Sequence, residues 1–114
     1  MLAHRVLTMM SSYCLQVLAG HSHYYERLCA VETNVTCATN RDRPVYVVDG
    51  SAGAEWDPSV DPYPNPSDNP LSMYKDFSYW GYSRLFVSPQ ELTFKHYHTD
   101  GSIVDQVTLP AVNY

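Results

Sequence analysis

Basic residues are scarce in this chain, and charged residues of either sign are few. Seven Lys and Arg stand against twelve Asp and Glu, so the formal net charge is −5, and charged residues make up only 17% of the chain. A nucleic-acid-binding domain normally carries a basic surface, so this composition argues against that class. The sequence also lacks a run of about 18 apolar residues, the length that a membrane-spanning helix needs. We therefore expect neither a nucleic-acid partner nor a membrane span.

The residues that are present favour a small, mostly β structure. The 114 residues suffice for one domain or part of one. A compact chain of this size buries roughly two thirds of its unfolded surface, which is enough to form a real core. Tyrosine is common, with ten copies, and tyrosine fits a half-buried β-surface better than a helix.

The first twenty residues resemble a signal peptide only weakly. Ser11, Ser12 and Gln16 interrupt the apolar centre that a signal peptide needs. We expect instead a short helix over about residues 4–12, followed by a strand over about 13–19. Gln16 would then lie in a buried strand and need hydrogen-bond partners.

The rest of the chain has the pattern of a β protein. The apolar run 44–50 ends in a turn and predicts a buried strand, and 81–87 predicts another. Residues 91–98 and 102–109 flank an Asp-Gly turn, which is typical of a β-hairpin. The segment 51–76 is rich in proline and shows little periodicity, so we expect a long surface loop there.

Two closely spaced histidines, His21 and His23, follow an apolar run and a glycine in the stretch GHSHYYER. Imidazole is a good ligand for iron and zinc, so this arrangement suits a metal site. Taken alone, however, the pair is better explained as loop histidines that only form hydrogen bonds. A second pair, His96 and His98, shares one face of a predicted strand, and we interpret it as strand-end histidines without a ligand role.

The cysteines bear on the compartment of the protein. Cys29 and Cys37 bracket a short loop that also holds Asn34, the acceptor of an N-glycosylation sequon. A nearby cysteine pair with a sequon indicates an oxidising, secretory history. Sequons also arise by chance, so a disulfide and two free thiols stay open as alternatives. Cys14, in the predicted first strand, is interpreted as a small buried apolar residue.

The stretch GHSHYYER resembles the last metal-binding signature of the purple acid phosphatases, which reads Gly-His-x-His followed by x-Tyr-Glu-Arg. Four further blocks follow in the order that the family has, covering nearly the whole chain from about Leu7 onward. They are the cysteine pair Cys29 and Cys37, PVYVVDGSAG at 44–53, GYSRLFV at 81–87 and DGSIVDQVTL at 100–109. A His-x-His pair alone would be weak evidence, but five ordered blocks are specific.

The resemblance implies the C-terminal part of a four-layer α/β/β/α metallophosphoesterase sandwich, mostly β with a short N-terminal helix. Residues 1–43 would end the catalytic region, and 44–114 would form the C-terminal β region. Family members hydrolyse phosphate monoesters with two metals, Fe(III) and a divalent Fe, Zn or Mn. By this resemblance His21 would bind the divalent metal and His23 the ferric ion. Two such metals lower the pKa of bound water and hold the phosphate oxygens.

The other ligands of the family lie in earlier blocks that do not occur here before Leu7. The signature supplies one ligand per metal, whereas even a catalytic zinc site normally uses three protein ligands. Leu15 and Gln16 also depart from the Asp-then-apolar pair that usually precedes the signature. We therefore expect a C-terminal fragment of a purple acid phosphatase, which acts on its phosphate monoester substrate only when an N-terminal region completes the site. The alternative is a non-catalytic β-rich module, or a decayed copy without phosphatase activity.

Further expectations concern the roles of individual side chains, the cellular location of the parent protein and association between copies of the chain. Tyr25, Glu26 and Arg27 would support the histidine loop, with Arg27 paired to a carboxylate or a carbonyl. Asp100 and Asp105 are interpreted as a turn former and a hairpin residue. The resemblance implies a secreted or lysosomal parent protein. Alone, the chain would leave one sheet face uncovered, which favours self-association.

Overall fold

The computed structural model describes residues 16–33, 36–38, 43–55 and 68–111. In these ranges the chain forms nine β-strands and no α-helix, and nothing in them is a helix long and apolar enough to cross a membrane. The strands are β1 (Gln16–Ala19), β2 (Tyr25–Leu28), β3 (Val31–Thr33), β4 (Thr36–Cys37), β5 (Val45–Asp49), β6 (Ser72–Asp76), β7 (Gly81–Val87), β8 (Glu91–His98) and β9 (Ile103–Pro110). The helix expected over 4–12 lies outside the described residues.

The first sheet contains four strands in the order β1-β5-β2-β6. β1 runs parallel to β5, while β2 runs antiparallel to both β5 and β6. The prediction of a buried strand at 44–50 is confirmed, with Val45 and Val47 of β5 in the core. A local apolar run was sufficient to identify this strand, because Val45 and Val47 lie on its buried face.

Strand β6 corrects the expectation of one long loop over 51–76. Residues 72–76 pair with β2 instead. The strand reads SMYKD, and its buried residues are Lys75 and Asp76. Lys75 lies 4.0 Å from a carboxylate oxygen of Glu26 on β2, and buried charges normally have such partners. Since these partners come from other strands, no apolar alternation marks β6 in the sequence.

The second sheet is an antiparallel meander in the order β7-β8-β9. The predicted strand 81–87 and the predicted hairpin are both confirmed, the last strand being shifted by one residue. Gly101 has φ 87°, a left-handed conformation that glycine adopts without strain. Asp100 accepts hydrogen bonds from the backbone N–H and the hydroxyl of Ser102, at 2.8 and 2.6 Å. This Asx-type turn sets the register of β8 against β9.

The two sheets share one core. It consists of Tyr25, Val45, Val47, Phe94 and Leu109, which come from β2, β5, β8 and β9. Burying one large apolar side chain contributes roughly 1.5–3 kcal/mol, so this cluster is a main source of cohesion between the sheets. One of the strands that carry it in the first sheet, β2, begins two residues after His23.

A third, two-stranded sheet is formed by β3 and β4. The structure contains a disulfide between Cys29 and Cys37, whose Cα atoms are 5.6 Å apart, a usual separation for such a bond. The disulfide closes the loop that carries β3 and β4. Asn34 and Cys14 lie outside the described residues, so the glycosylation prediction and the interpretation of Cys14 stay predictions.

Candidate metal-binding loop and its support

His21 and His23 lie on the loop that joins β1 to β2, and both side chains are exposed. His21 has φ 77°, which is uncommon for a residue other than glycine. Such a conformation costs on the order of 1–3 kcal/mol and persists where the surroundings enforce it, often at functional sites. The loop is closed by a hydrogen bond from the N–H of Tyr24 to the carbonyl of Ser22, 2.8 Å.

The loop rests directly on the turn that follows β5. The backbone N–H of Gly50 donates to the carbonyl oxygen of Tyr24 at 3.0 Å. A Cβ atom at Gly50 would lie 1.9 Å from the carbonyl oxygen of Ser22, far inside van der Waals contact. Glycine is therefore required here, and it lets two backbone segments touch.

One imidazole is already held by this turn. Nδ1 of His23 lies 2.8 Å from the backbone carbonyl oxygen of Glu55. A carbonyl oxygen only accepts hydrogen bonds, so the contact calls for a proton on Nδ1, and in the neutral ring Nε2 then carries the lone pair. Metal-binding histidines usually donate their second ring nitrogen to a carbonyl or carboxylate in this way.

The donor set of the described residues is small. No group of three or more His, Cys, Asp or Glu side chains in that part of the chain is placed to hold a metal ion together. Two imidazoles suit iron and zinc, but a catalytic zinc ion normally takes three protein ligands. The loop can thus supply two of the ligands of a metal centre, but the described residues do not form a complete metal site.

Directly behind the loop, Tyr25 and Arg27 of β2 bind Asp105 of β9. The hydroxyl of Tyr25 donates to Asp105 Oδ2 at 2.7 Å. Arg27 forms a two-pronged contact, with Nε 2.7 Å from Oδ2 and Nη2 2.9 Å from Oδ1. Of the two partners expected for Arg27, a carboxylate or a carbonyl, the structure shows the carboxylate. Asp105, interpreted from the sequence only as a hairpin residue, accepts all three of these hydrogen bonds between the sheets.

This carboxylate also changes the ionisation of its partners. Burial raises the pKa of Tyr25 well above the ordinary range, and the hydrogen bond to Asp105 raises it further. The hydrogen bond to Asp105 likewise raises the pKa of Arg27. Tyr25 therefore stays a neutral hydrogen-bond donor and Arg27 stays a cation throughout the physiological range.

His96 corrects a second expectation. It is not a strand-end residue, because its side chain is fully buried between the sheets. Its ring stacks on Tyr25 with centroids 3.7 Å apart, and Nδ1 lies 2.9 Å from the hydroxyl oxygen of Ser83. The alternation with Phe94, two positions earlier on the same buried face, was the available signal.

Ser83 links His96 to Asp49 at the end of β5. The hydroxyl of Ser83 donates to Asp49 Oδ2, and Nδ1 of His96 is 3.7 Å from the same oxygen. Burial alone would raise the pKa of Asp49, but the nearby His96 ring and the hydrogen bond from Ser83 outweigh burial and lower it. The residue directly before Gly50 is therefore held as a carboxylate between the sheets.

The remaining ion pairs also support the sheets rather than the histidine loop. His98, the last residue of β8, has Nε2 2.5 Å from Asp76 Oδ2 on β6. Glu26 is buried beside Lys75, whose ammonium lies 4.3 Å from the centroid of the Tyr24 ring. Glu26 thus binds within the first sheet and supports the loop only indirectly.

Comparisons with known proteins agree on one relationship. A family model described as iron/zinc purple acid phosphatase-like protein C matches residues 43–106. A protein named probable inactive purple acid phosphatase 9, from Arabidopsis thaliana, is 35% identical over 101 residues, which cover 82% of this chain and 15% of that protein. The structure of purple acid phosphatase PPD1 from yellow lupin (Lupinus luteus) seeds matches with a TM-score of 0.69 and 23% identity, over 92% of this chain and 19% of that one.

The lupin structure shows a shared fold. The sheets described above correspond to a C-terminal part of that phosphatase. This chain spans less than a fifth of the length of either relative.

Proposed function

Because the chain belongs to the purple acid phosphatase family, we propose that it is the part of a phosphate monoester hydrolase that supplies His21 and His23 to a two-metal centre. His21 contributes a ligand to the divalent metal and His23 to the ferric ion. The remaining ligands come from residues outside the described part of the chain. The described residues alone do not catalyse the reaction.

The observation that carries this proposal is the hydrogen bond from His23 to the carbonyl of Glu55 at 2.8 Å. It leaves Nε2 of an exposed imidazole with a free lone pair, which is the form that binds a metal ion. The second nitrogen of this ring is therefore available to a metal ion, in addition to the structural hydrogen bond that the first one makes. The strained backbone of His21, φ 77°, supports the same interpretation, because strain of this kind is concentrated at functional sites.

A bound pair of metals would supply a hydroxide of low pKa and a clamp for phosphate oxygens. The residues of this chain do the positioning. Tyr25 and Arg27 fix the strand that follows the loop by binding Asp105, and Gly50 lets the loop lie against β5. Rigid support of this type matters because small misplacements of catalytic groups cost large factors in rate.

A second candidate is a non-catalytic β module of the same family. The relative from Arabidopsis thaliana is named as probably inactive, and this favours the second candidate. Such a module would keep the two sheets and their core while its histidine loop serves no metal.

Binding of Zn²⁺ to the 114-residue chain separates the two. We expect isothermal titration to show weak binding of Zn²⁺ that is lost in His21→Ala and in His23→Ala. His98→Ala is the matched control, because this histidine is half-buried and pairs with Asp76, and it should leave binding unchanged. Zinc binding that is absent, or unaffected by both loop substitutions, would contradict the proposal and favour the module.

A further inference from the structure

We propose that the turn after β5, residues 50–55, holds His23 in the tautomer with its proton on Nδ1, and that Gly50 is the positioning residue that makes this contact possible. The inference deepens the proposed function, and its consequence for metal binding rests on that function. The tautomer itself does not, since it follows from contacts within this chain.

The first step is the close approach at Gly50. A Cβ atom there would meet two backbone atoms of Ser22, the carbonyl oxygen at 1.9 Å and the carbonyl carbon at 2.8 Å. Backbone atoms cannot rotate away as the end of a flexible side chain can. Any other residue at position 50 must therefore push residues 22–23 away from the turn.

The second step is the path of the turn beyond Gly50. Ser51 is buried, and its carbonyl oxygen accepts a hydrogen bond from the N–H of Gly81 at 3.1 Å. This bond anchors the start of the turn to β7 in the second sheet. Gly53 then adopts φ 127°, a conformation open mainly to glycine. The chain thereby returns towards the histidine loop, and the carbonyl of Glu55 reaches His23.

The third step is the chemistry of the contact. The carbonyl oxygen of Glu55 can only accept, so the 2.8 Å contact requires a proton on Nδ1 of His23. Nε2 is then unprotonated in the neutral ring and can bind a metal ion without first losing a proton. Because the acceptor is a backbone atom, the identity of the side chain at position 55 is irrelevant, and the path of the turn is what matters.

The test compares two alanine substitutions that each add one methyl group. Gly50→Ala places the methyl against Ser22, whereas Gly20→Ala places it next to His21 in sequence, where it meets only the Asp49 carbonyl oxygen at an ordinary 3.7 Å. Long-range ¹⁵N NMR of the neutral imidazoles reports the tautomer of His23 directly. We expect the Nδ1–H form in the unmodified chain and in Gly20→Ala, and loss of that preference in Gly50→Ala.

The same three proteins are then titrated with Zn²⁺. Loss of an outer partner of a metal-binding histidine typically weakens binding about 10- to 100-fold, so we expect that reduction in Gly50→Ala only. Glu55→Ala retains the carbonyl and should retain both the tautomer and the affinity. A merely destabilising effect of Gly50→Ala would not shift the tautomer of His23 in the folded fraction.

Three results would overturn the inference. They are an Nε2–H tautomer on His23 in the unmodified chain, equal effects of Gly20→Ala and Gly50→Ala, and a change of tautomer in Glu55→Ala. If Gly50→Ala does not fold, the unmodified chain and Glu55→Ala still test whether His23 has the Nδ1–H tautomer and whether it depends on the backbone rather than the side chain at position 55. An Nδ1–H tautomer without zinc binding would refute the proposed function while the positioning inference stands.

Discussion

Replacing Asp105 with Ala tests how firmly the second sheet holds the strand behind the histidine loop. The substitution removes the acceptor of both Arg27 hydrogen bonds, 2.7 and 2.9 Å, and of the Tyr25 hydroxyl, 2.7 Å. The side chains of Arg27 and Asp105 are only 16% and 7% exposed. The figure for exposed ion pairs, about 0–1 kcal/mol, therefore does not apply. Removing one partner of a buried ion pair leaves the other charge buried without a counter-charge, which costs about 3–5 kcal/mol of stability.

The expected loss is a large share of the about 5–15 kcal/mol that stabilises a typical domain. Urea unfolding under non-reducing conditions measures it as a lower midpoint. Asp105→Asn keeps one acceptor oxygen and should lie between Asp105→Ala and the unmodified chain. Asp100→Ala is the control on the same hairpin, because Asp100 is exposed and bonds only within its own turn. A midpoint for Asp105→Ala equal to that of the control would refute the reasoning.

Four further outcomes are expected. The pKa of Asp49 is lowered from its ordinary value of 3.8, so the stability that its carboxylate contributes is present above pH 3.8 and is lost as the pH falls through the depressed pKa. Asp49→Asn should therefore flatten the acid side of a plot of unfolding free energy against pH, and an unchanged acid side would contradict this. Replacing both Cys29 and Cys37 with Ala should cost about 2–3 kcal/mol in the chain-entropy model. Non-reducing peptide maps of chain produced in an oxidising compartment should show the two residues linked, and two alkylated thiols would contradict this. Sedimentation velocity should show concentration-dependent association, since strand β7 exposes large apolar side chains along a sheet edge; a sharp monomer at all concentrations would argue against it. An acid-pH assay with aryl phosphate and added Fe, Zn or Mn should show no useful turnover, and activity that disappears in a His21→Ala, His23→Ala double variant would show that the chain assembles a complete site.

Local chemistry made several strands predictable from the sequence. The apolar run of β5 places Val45 and Val47 in the core, and the Asp-Gly turn at 100–101 favours the left-handed φ of 87° that the β8–β9 hairpin uses. The family was also evident from sequence, because its signature and the blocks after it keep their order along the chain. These features depend on residues that are close together in sequence.

The support of the histidine loop was not predictable in this way. Arg27 and Asp105 are 78 positions apart, and β6 is a strand whose buried residues are charged, so neither shows a local pattern. His96 alternates with Phe94 on one face of β8, but this pattern does not show that the ring of Tyr25 covers His96.

The family, the histidine pair and the strands marked by apolar runs and a turn are all evident from local residue patterns. The pairing of carboxylates with cations between the sheets, and the contact of His23 with the Glu55 carbonyl, are visible only once the chain has folded. A buried charge and a hydrogen-bonded ring both require a partner at hydrogen-bond distance. Here the fold brings those partners in from strands and turns that are distant along the chain.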